Sequence, residues 1–248
     1  MNSNGMPRQN GMNRAQKSVT VPAWPTARPE SLQAKSVPNR RHAIEWLNFD
    51  GAVENQIVNA PVLPIFERTT NALARGALVQ TPNGHVAIED IRPGTHINTI
   101  DGDTHVVQWV SSVSILPASN IPVPNLFRIA EGSLGSVFGM PDLLVGPGAR
   151  LMRQGHRIDK LSKLTNIDQM VDGFSVIQIV PRSPIQLYHL ALASHQLISV
   201  NGVVMETFHP GSSPQLHMSE KMFSTYAGMF PHMARMADFG PLNYRRQD

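Results

Sequence analysis

The chain has 248 residues, 41% of them hydrophobic, and a formal net charge of +3, enough to bury one sizeable core with tails attached. The charge is unevenly placed: residues 1–41 carry seven Lys/Arg against Glu30 alone, a local +6 that leaves residues 42–248 at −3. That remainder has no basic run and few aromatics to stack bases, which excludes a nucleic-acid partner. The absence of Cys excludes disulfides, thiolate metal sites, thiol redox chemistry and a cysteine nucleophile.

Residues 1–20 contain no apolar stretch of the roughly 7 to 15 residues a secretory signal needs, and nothing later approaches the roughly 20 apolar residues of a membrane span. The expectation is a soluble protein, cytoplasmic or exported without an N-terminal signal peptide, with no membrane partner. Residues 1–41 mix Asn, Gly, Ser, Pro and Lys/Arg with scattered apolar side chains, too few to offset ordering entropy, and predict a disordered basic arm. Residues 42–70 are denser in apolar groups (Ile44, Trp46, Leu47, Ile57, Val58, Val62 to Phe66) but hold no sustained period. They read as a connecting segment packed on the domain.

From Ala77 the pattern becomes short β-branched runs between turn signals: ALVQT, PNG at 82–84, HVAIED, RPG at 92–94, THINTI, DGD at 101–103, HVVQWV. This spacing predicts an all-β domain over 71–211. Further strands are expected at 126–129, 143–145, 174–180, 186–192, 197–200 and 203–206, the last two joined by Asn201-Gly202, a pair that favours a type I′ hairpin turn. In the C-terminal extension, 212–248, Met218, Met222, Phe223, Tyr226, Met229, Met233 and Met236 recur at helical spacing and predict a helix broken near Pro231. Such a methionine stripe packs on the parent core far more often than it captures a partner peptide.

Three blocks, ALARGALVQTPNGHVAIEDIRPGTHINTIDGD at 72–103, LLVGPGARL at 143–151 and YHLALASHQLISVNGVVMETFHPG at 188–211, stand in the order found in bacterial Hint (Hedgehog/intein) domain proteins. With the similar tail FPHMARMADFGPL at 230–242, the chain resembles that family over about residues 65 to 242. The resemblance implies a compact all-β horseshoe fold and an autoprocessing chemistry in which a cysteine at the domain start attacks the preceding carbonyl. That chemistry needs a thiolate nucleophile and a histidine to protonate the departing backbone nitrogen.

Carried onto this chain, the cysteine position falls at Ala72, and the second-block histidine at Ala149, within Gly146-Pro147-Gly148-Ala149-Arg150 where the family has Ser-Pro-x-His-Arg. A methyl group can neither attack a carbonyl nor donate a proton. His195 matches the third-block histidine, while Glu206 and Thr207 stand where splicing inteins carry a terminal His-Asn pair. The resemblance therefore implies a degenerate member whose vestigial site is Ala72, Ala149 and His195. Such a chain is expected to act as a structural or binding scaffold, meeting a protein partner through its arm or its loops and needing no cofactor. Two alternatives stand beside it. One is autoprocessing through another nucleophile, with Thr69 and Thr70 just upstream though out of register; the other is an assembly component whose arm orders on a larger complex.

Other clusters read as structural. His195 is expected to be a hydrogen-bonded core histidine. His85, His96 and His105 fall on neighbouring strands but lack an accompanying carboxylate or Cys motif, and Asp101 and Asp103 around Gly102 fit a hairpin turn, so no metal is expected. No phosphate-cradling loop and no nucleophile elbow occur.

Overall fold

The computed structural model describes residues 37–136, 139–152, 163–211 and 218–247. The expected arm lies outside the described residues up to residue 36, as does the start of the C-terminal extension at 212–217. The unit Val37–Asp248 is predominantly β with a short C-terminal helix, as the sequence implies.

The segment read as a connector holds two nine-residue strands, β1 (Asn39–Leu47) and β2 (Val53–Pro61), and β1 already begins inside the expected arm. They form an antiparallel hairpin, and β1 also pairs with β7 (Thr104–Ile115) in the register His42↔Val113 to Trp46↔Trp109. The inward face of β1 is Arg40, His42, Ile44 and Trp46. Two of these four are polar, which is why the apolar alternation of a strand is not visible there. A single helical turn, α1 (Pro64–Glu67), follows, opened by Pro64, whose missing N–H costs nothing in the first turn.

The strands then run β3 (Leu73–Ala74), β4 (Leu78–Thr81), β5 (Gly84–Ala87), β6 (His96–Asn98), β7, β8 (Leu126–Ile129), β9 (Leu143–Val145) and β10 (Arg150–Met152). After them come β11 (Lys163–Asn166), β12 (Val176–Ile179), β13 (Ile185–Leu192), β14 (Leu197–Val200), β15 (Val203–Glu206), helix α2 (Glu220–Ala227) and β16 (Arg245–Arg246). Among the described residues they build two sheets. One has the order β12-β8-β9-β3-β13-β7-β1-β2 with β6 also on β7, the other β16-β11-β10-β15-β14-β4-β5. The β14–β15 turn has Asn201 and Gly202 at φ 49° and 81°, the two positive values a type I′ turn requires.

The largest apolar cluster draws on both sheets, with Ala72, Val79, Ile97, Val145, Ala149, Leu151, Leu190, Ile198 and Val203 all buried in it. A second gathers around Trp109, whose ring lies against Phe208 and Phe230 at centroid distances of 5.3 Å. Helix α2 stops at Ala227 with Gly228 as its C-cap rather than reaching Pro231. The chain beyond turns inward because Met229 and Phe230 are fully buried and the Met229 carbonyl accepts the Trp109 indole N–H at 2.8 Å. Met218, Met222, Met233 and Met236 pack on the same cluster, so the methionine stripe covers the parent core.

Candidate functional site

The junction between the N-terminal segment and the β domain, Asn71–Ala72, is threaded between two strands. The Ala72 N–H donates to the Tyr188 carbonyl on β13 and its carbonyl accepts from Gly146, both at 3.0 Å. One residue back, the Asn71 carbonyl accepts from the Gly148 N–H at 3.3 Å. Ala72 and Ala149 are both fully buried and members of the same apolar cluster, and the loop that leads into Ala149 is hydrogen-bonded to the junction. The structure brings together two of the three residues that the resemblance singles out.

The loop between β9 and β10 approaches this junction so closely that only glycine fits. A Cβ at Gly146 would lie 2.0 Å from the Asn71 carbonyl oxygen, and one at Gly148 would lie 2.6 Å from the Arg68 oxygen and 2.7 Å from Asn71 Oδ1. Where the resemblance implies a serine, at 146, the place of its side chain is occupied by the backbone of Asn71. Asn71 is itself fully buried, and its side-chain amide makes no hydrogen bond among the described residues.

His195 works elsewhere. The Asn243 N–H donates to Nδ1 at 3.2 Å, which places the ring proton on Nε2, and this is donated to Glu206 at 3.1 Å. Arg150 and Arg246 close on the same carboxylate at 3.1 and 3.0 Å. Burial pushes Glu206 up, but His195, Arg246 and Arg150 together outweigh it and bring it down to about 2. Both ring nitrogens of His195 are committed, so the residue is a core histidine tying β14 to β15 and to the C-terminal segment.

A residue that sequence reasoning passed over is His189, on the buried face of β13. Burial holds it down to about 4 against the opposing pull of Glu206 and the Arg68 carbonyl. The neutral ring gives Nδ1–H to Arg68 O at 3.3 Å, and Nε2 makes no hydrogen bond among the described residues. It lines a cavity of about 330 Å³ with Arg68, Gly148, Arg150, Glu206 and Arg246, beside the junction. The signal was present in YHLALASH, a histidine alternating onto the apolar side of a strand. Thr69 lies on the same wall but spends its hydroxyl on the Phe66 carbonyl at 2.5 Å.

Of the metal candidates, Asp101, Asp103 and His105 offer ligand atoms within 4.8 Å of one another, and neither His85 nor His96 joins them among the described residues. The two aspartates make the hairpin turn expected of them: Thr99 donates its side chain to Asp101 and its backbone N–H to the Asp103 carbonyl.

A model of the Hint domain matches residues 71–212. The chain belongs to the Hint domain family. Among solved structures, the Hint domain is similar to the bacterial intein-like domain of Clostridium thermocellum, at 13% identity and TM-score 0.41 over 55% of this chain and 99% of that one. It is also similar to a DnaB intein from Synechocystis sp., at 10% identity and TM-score 0.33 over 56% and 99%. No curated protein matches the chain.

Proposed function

We propose that this Hint domain does not cleave the Asn71–Ala72 bond and serves as a scaffold that keeps its N-terminal segment bound and offers its arm or loops to a protein partner. The observation that carries this reading is the junction itself. Ala72 and Ala149 are both buried in one apolar cluster and supply neither a nucleophile nor a proton donor, and the Gly146–Gly148 loop lies against Asn71. Acyl transfer needs an attacking atom and a group to protonate the leaving nitrogen; a methyl supplies neither. The test is the intact mass of the full chain after incubation with a thiol: the Asn71–Ala72 bond stays uncut, and loss of residues 1–71 would refute the reading. Ala72→Cys with Ala149→His is expected to stay whole as well. The loop has filled the space at 146, and a histidine at the fully buried position 149 overpacks the core by about 1–3 kcal/mol or more.

A further inference from the structure

The cavity beside the junction is walled by cations brought from three separate stretches of chain. Arg68 stands in the turn that ends α1, Arg150 opens β10 and Arg246 lies on β16, and all three line the same space of about 330 Å³. One carboxylate faces them there, Glu206, while His189 and His209 add no charge at neutral pH because burial holds each down to about 4. Three guanidiniums against one carboxylate leave the lining at +2. Asp168 reaches Arg68 only at 4.0 Å, with both side chains well exposed, where solvent screens the pair.

Glu206 does not use up the donors around it. It takes one nitrogen from each neighbouring arginine, Nη1 of Arg150 and Nε of Arg246, together with the His195 ring, and Arg246 gives Nη2 to the His209 carbonyl. Among the described residues, Arg246 Nη1, Arg150 Nε and Nη2 and the whole Arg68 guanidinium donate no hydrogen bond. Burial, against the pull of Glu206, holds Arg246 below the usual guanidinium value, and the Arg150 cation adds to the effect; a second anion relieves it. A guanidinium is a permanently charged fork whose N–H groups match oxyanions. Forks arriving from three elements suit a tetrahedral group, which offers an oxygen to each, better than a planar carboxylate with only two. Ile65, Phe208 and Tyr226 add an apolar side to the wall, and the volume is at the lower end of the roughly 300–1,000 Å³ of small-ligand sites.

We propose that this cavity binds a phosphate group, as the free ion or as a small phosphomonoester, with Arg68, Arg150 and Arg246 donating to its oxygens. Charge sets the class of ligand: a phosphate near neutral pH carries about two negative charges, which balance the +2 of the lining. The C-terminal strand β16 is part of the site, since it supplies Arg246. No covalent bond is made or broken. The inference goes beyond the scaffold reading and does not rest on it, because a filled cavity is compatible with a cut or an uncut Asn71–Ala72 bond.

The experiment is isothermal titration calorimetry of the full chain with inorganic phosphate and with phenyl phosphate, near neutral pH and with ionic strength held constant by sodium chloride. A melting temperature is the wrong readout, since phosphate is excluded from protein surfaces and stabilises folds that have no site for it. One-to-one binding with a Kd below about 1 mM is expected. Tighter binding of phenyl phosphate assigns the site to monoesters and the reverse order assigns it to the free ion; either order supports the site. Arg68→Gln is expected to weaken both ligands by about 10-fold, the loss of one charge-assisted hydrogen bond. Its side chain is 39% exposed, so the variant folds with an unchanged melting temperature in phosphate-free buffer. Arg75→Gln removes an equal charge from a side chain that is 71% exposed and lines no part of the cavity, and leaves the affinity as it was. Absence of saturable binding by either ligand overturns the proposal, as does an Arg68→Gln affinity equal to the parent's. An Arg75→Gln loss as large as that of Arg68→Gln overturns it too, because the attraction is then diffuse.

Discussion

Gly146→Ala tests whether the β9–β10 loop is closed on the junction as described. The new Cβ would meet the Asn71 carbonyl oxygen at 2.0 Å, more than 1 Å inside ordinary contact. The loop has to retreat, which breaks the Gly146 N–H bond to Ala72 and the Gly148 N–H bond to Asn71, about 1 kcal/mol each. It also disturbs the Leu73↔Val145 pairing of β3 with β9. Adding a strain cost of about 1–3 kcal/mol for the displaced core gives a loss of about 3–5 kcal/mol. In a domain of this size that lowers Tm by about 6–20 °C. Urea denaturation at fixed m-value is the assay, with Gly139→Ala as reference. Gly139 has φ +91° and nothing within 4 Å of the methyl that alanine would add, so it shows only the left-handed penalty of about 1–2 kcal/mol. A Gly146→Ala loss no larger than that of Gly139→Ala would refute the close packing of loop on junction.

Acid should unfold the domain early. His42, His189 and His209 are each held by burial near about 4, below the usual histidine value, so the unfolded chain binds more protons between about pH 6.5 and 4. Their contribution is complete above that window and lost as pH falls through it, each at up to about 1.4 kcal/mol per pH unit. Glu206, brought down to about 2, adds to the loss only below about pH 4.5. Thermal melts from pH 7.5 to 4 read this as a falling Tm, and a flat Tm between 7 and 5 contradicts it. Glu206→Gln leaves Arg150, Arg246 and the His195 N–H facing a neutral amide. It is expected to cost about 3–5 kcal/mol in chemical denaturation, and a change under 1 kcal/mol would mean that the three partners find solvent instead.

What the sequence made legible follows from how each element announces itself. Strands β8, β9, β14 and β15 lie where their β-branched runs and turn residues put them, because one face is apolar and the ends are Pro, Gly or Asn. β1 was hidden because its core face alternates Arg40 and His42 with Ile44 and Trp46. A buried ionic partner such as Glu67, 27 residues away, is invisible to a periodicity that counts only apolar side chains. The missing chemistry at Ala72 and Ala149 was readable, since an absent atom needs no coordinates. The closing of Gly146 onto Asn71 was not, because glycine reports only that a side chain is missing and not what occupies its place. Likewise the 2.9 Å contact between His42 Nδ1 and Thr70 Oγ1 joins a strand read as part of a connector to the turn just before the domain.

The hairpin that periodicity missed also decides what a break in the chain near residue 71 would release. Residues 37–71 supply β1 and β2, with five β1 positions paired to β7, and bury Ile44, Ala60 and Phe66 completely. Burying three such side chains contributes several kcal/mol at about 25 cal/mol per Å² of apolar surface, and the strand pairing adds to it. Co-expressed as two pieces, 37–71 and 72–248, they are therefore expected to copurify as a one-to-one complex through size exclusion. Residues 72–248 alone would expose one edge of β7 and the apolar face against Trp109 and tend to aggregate. A monodisperse 72–248 fragment with an unchanged melting temperature would show that the N-terminal segment is carried by the domain rather than built into it. Copurification would mean that the Hint domain keeps hold of its N-terminal segment whether or not any peptide bond is cut, and holding, rather than release, is what a scaffold requires.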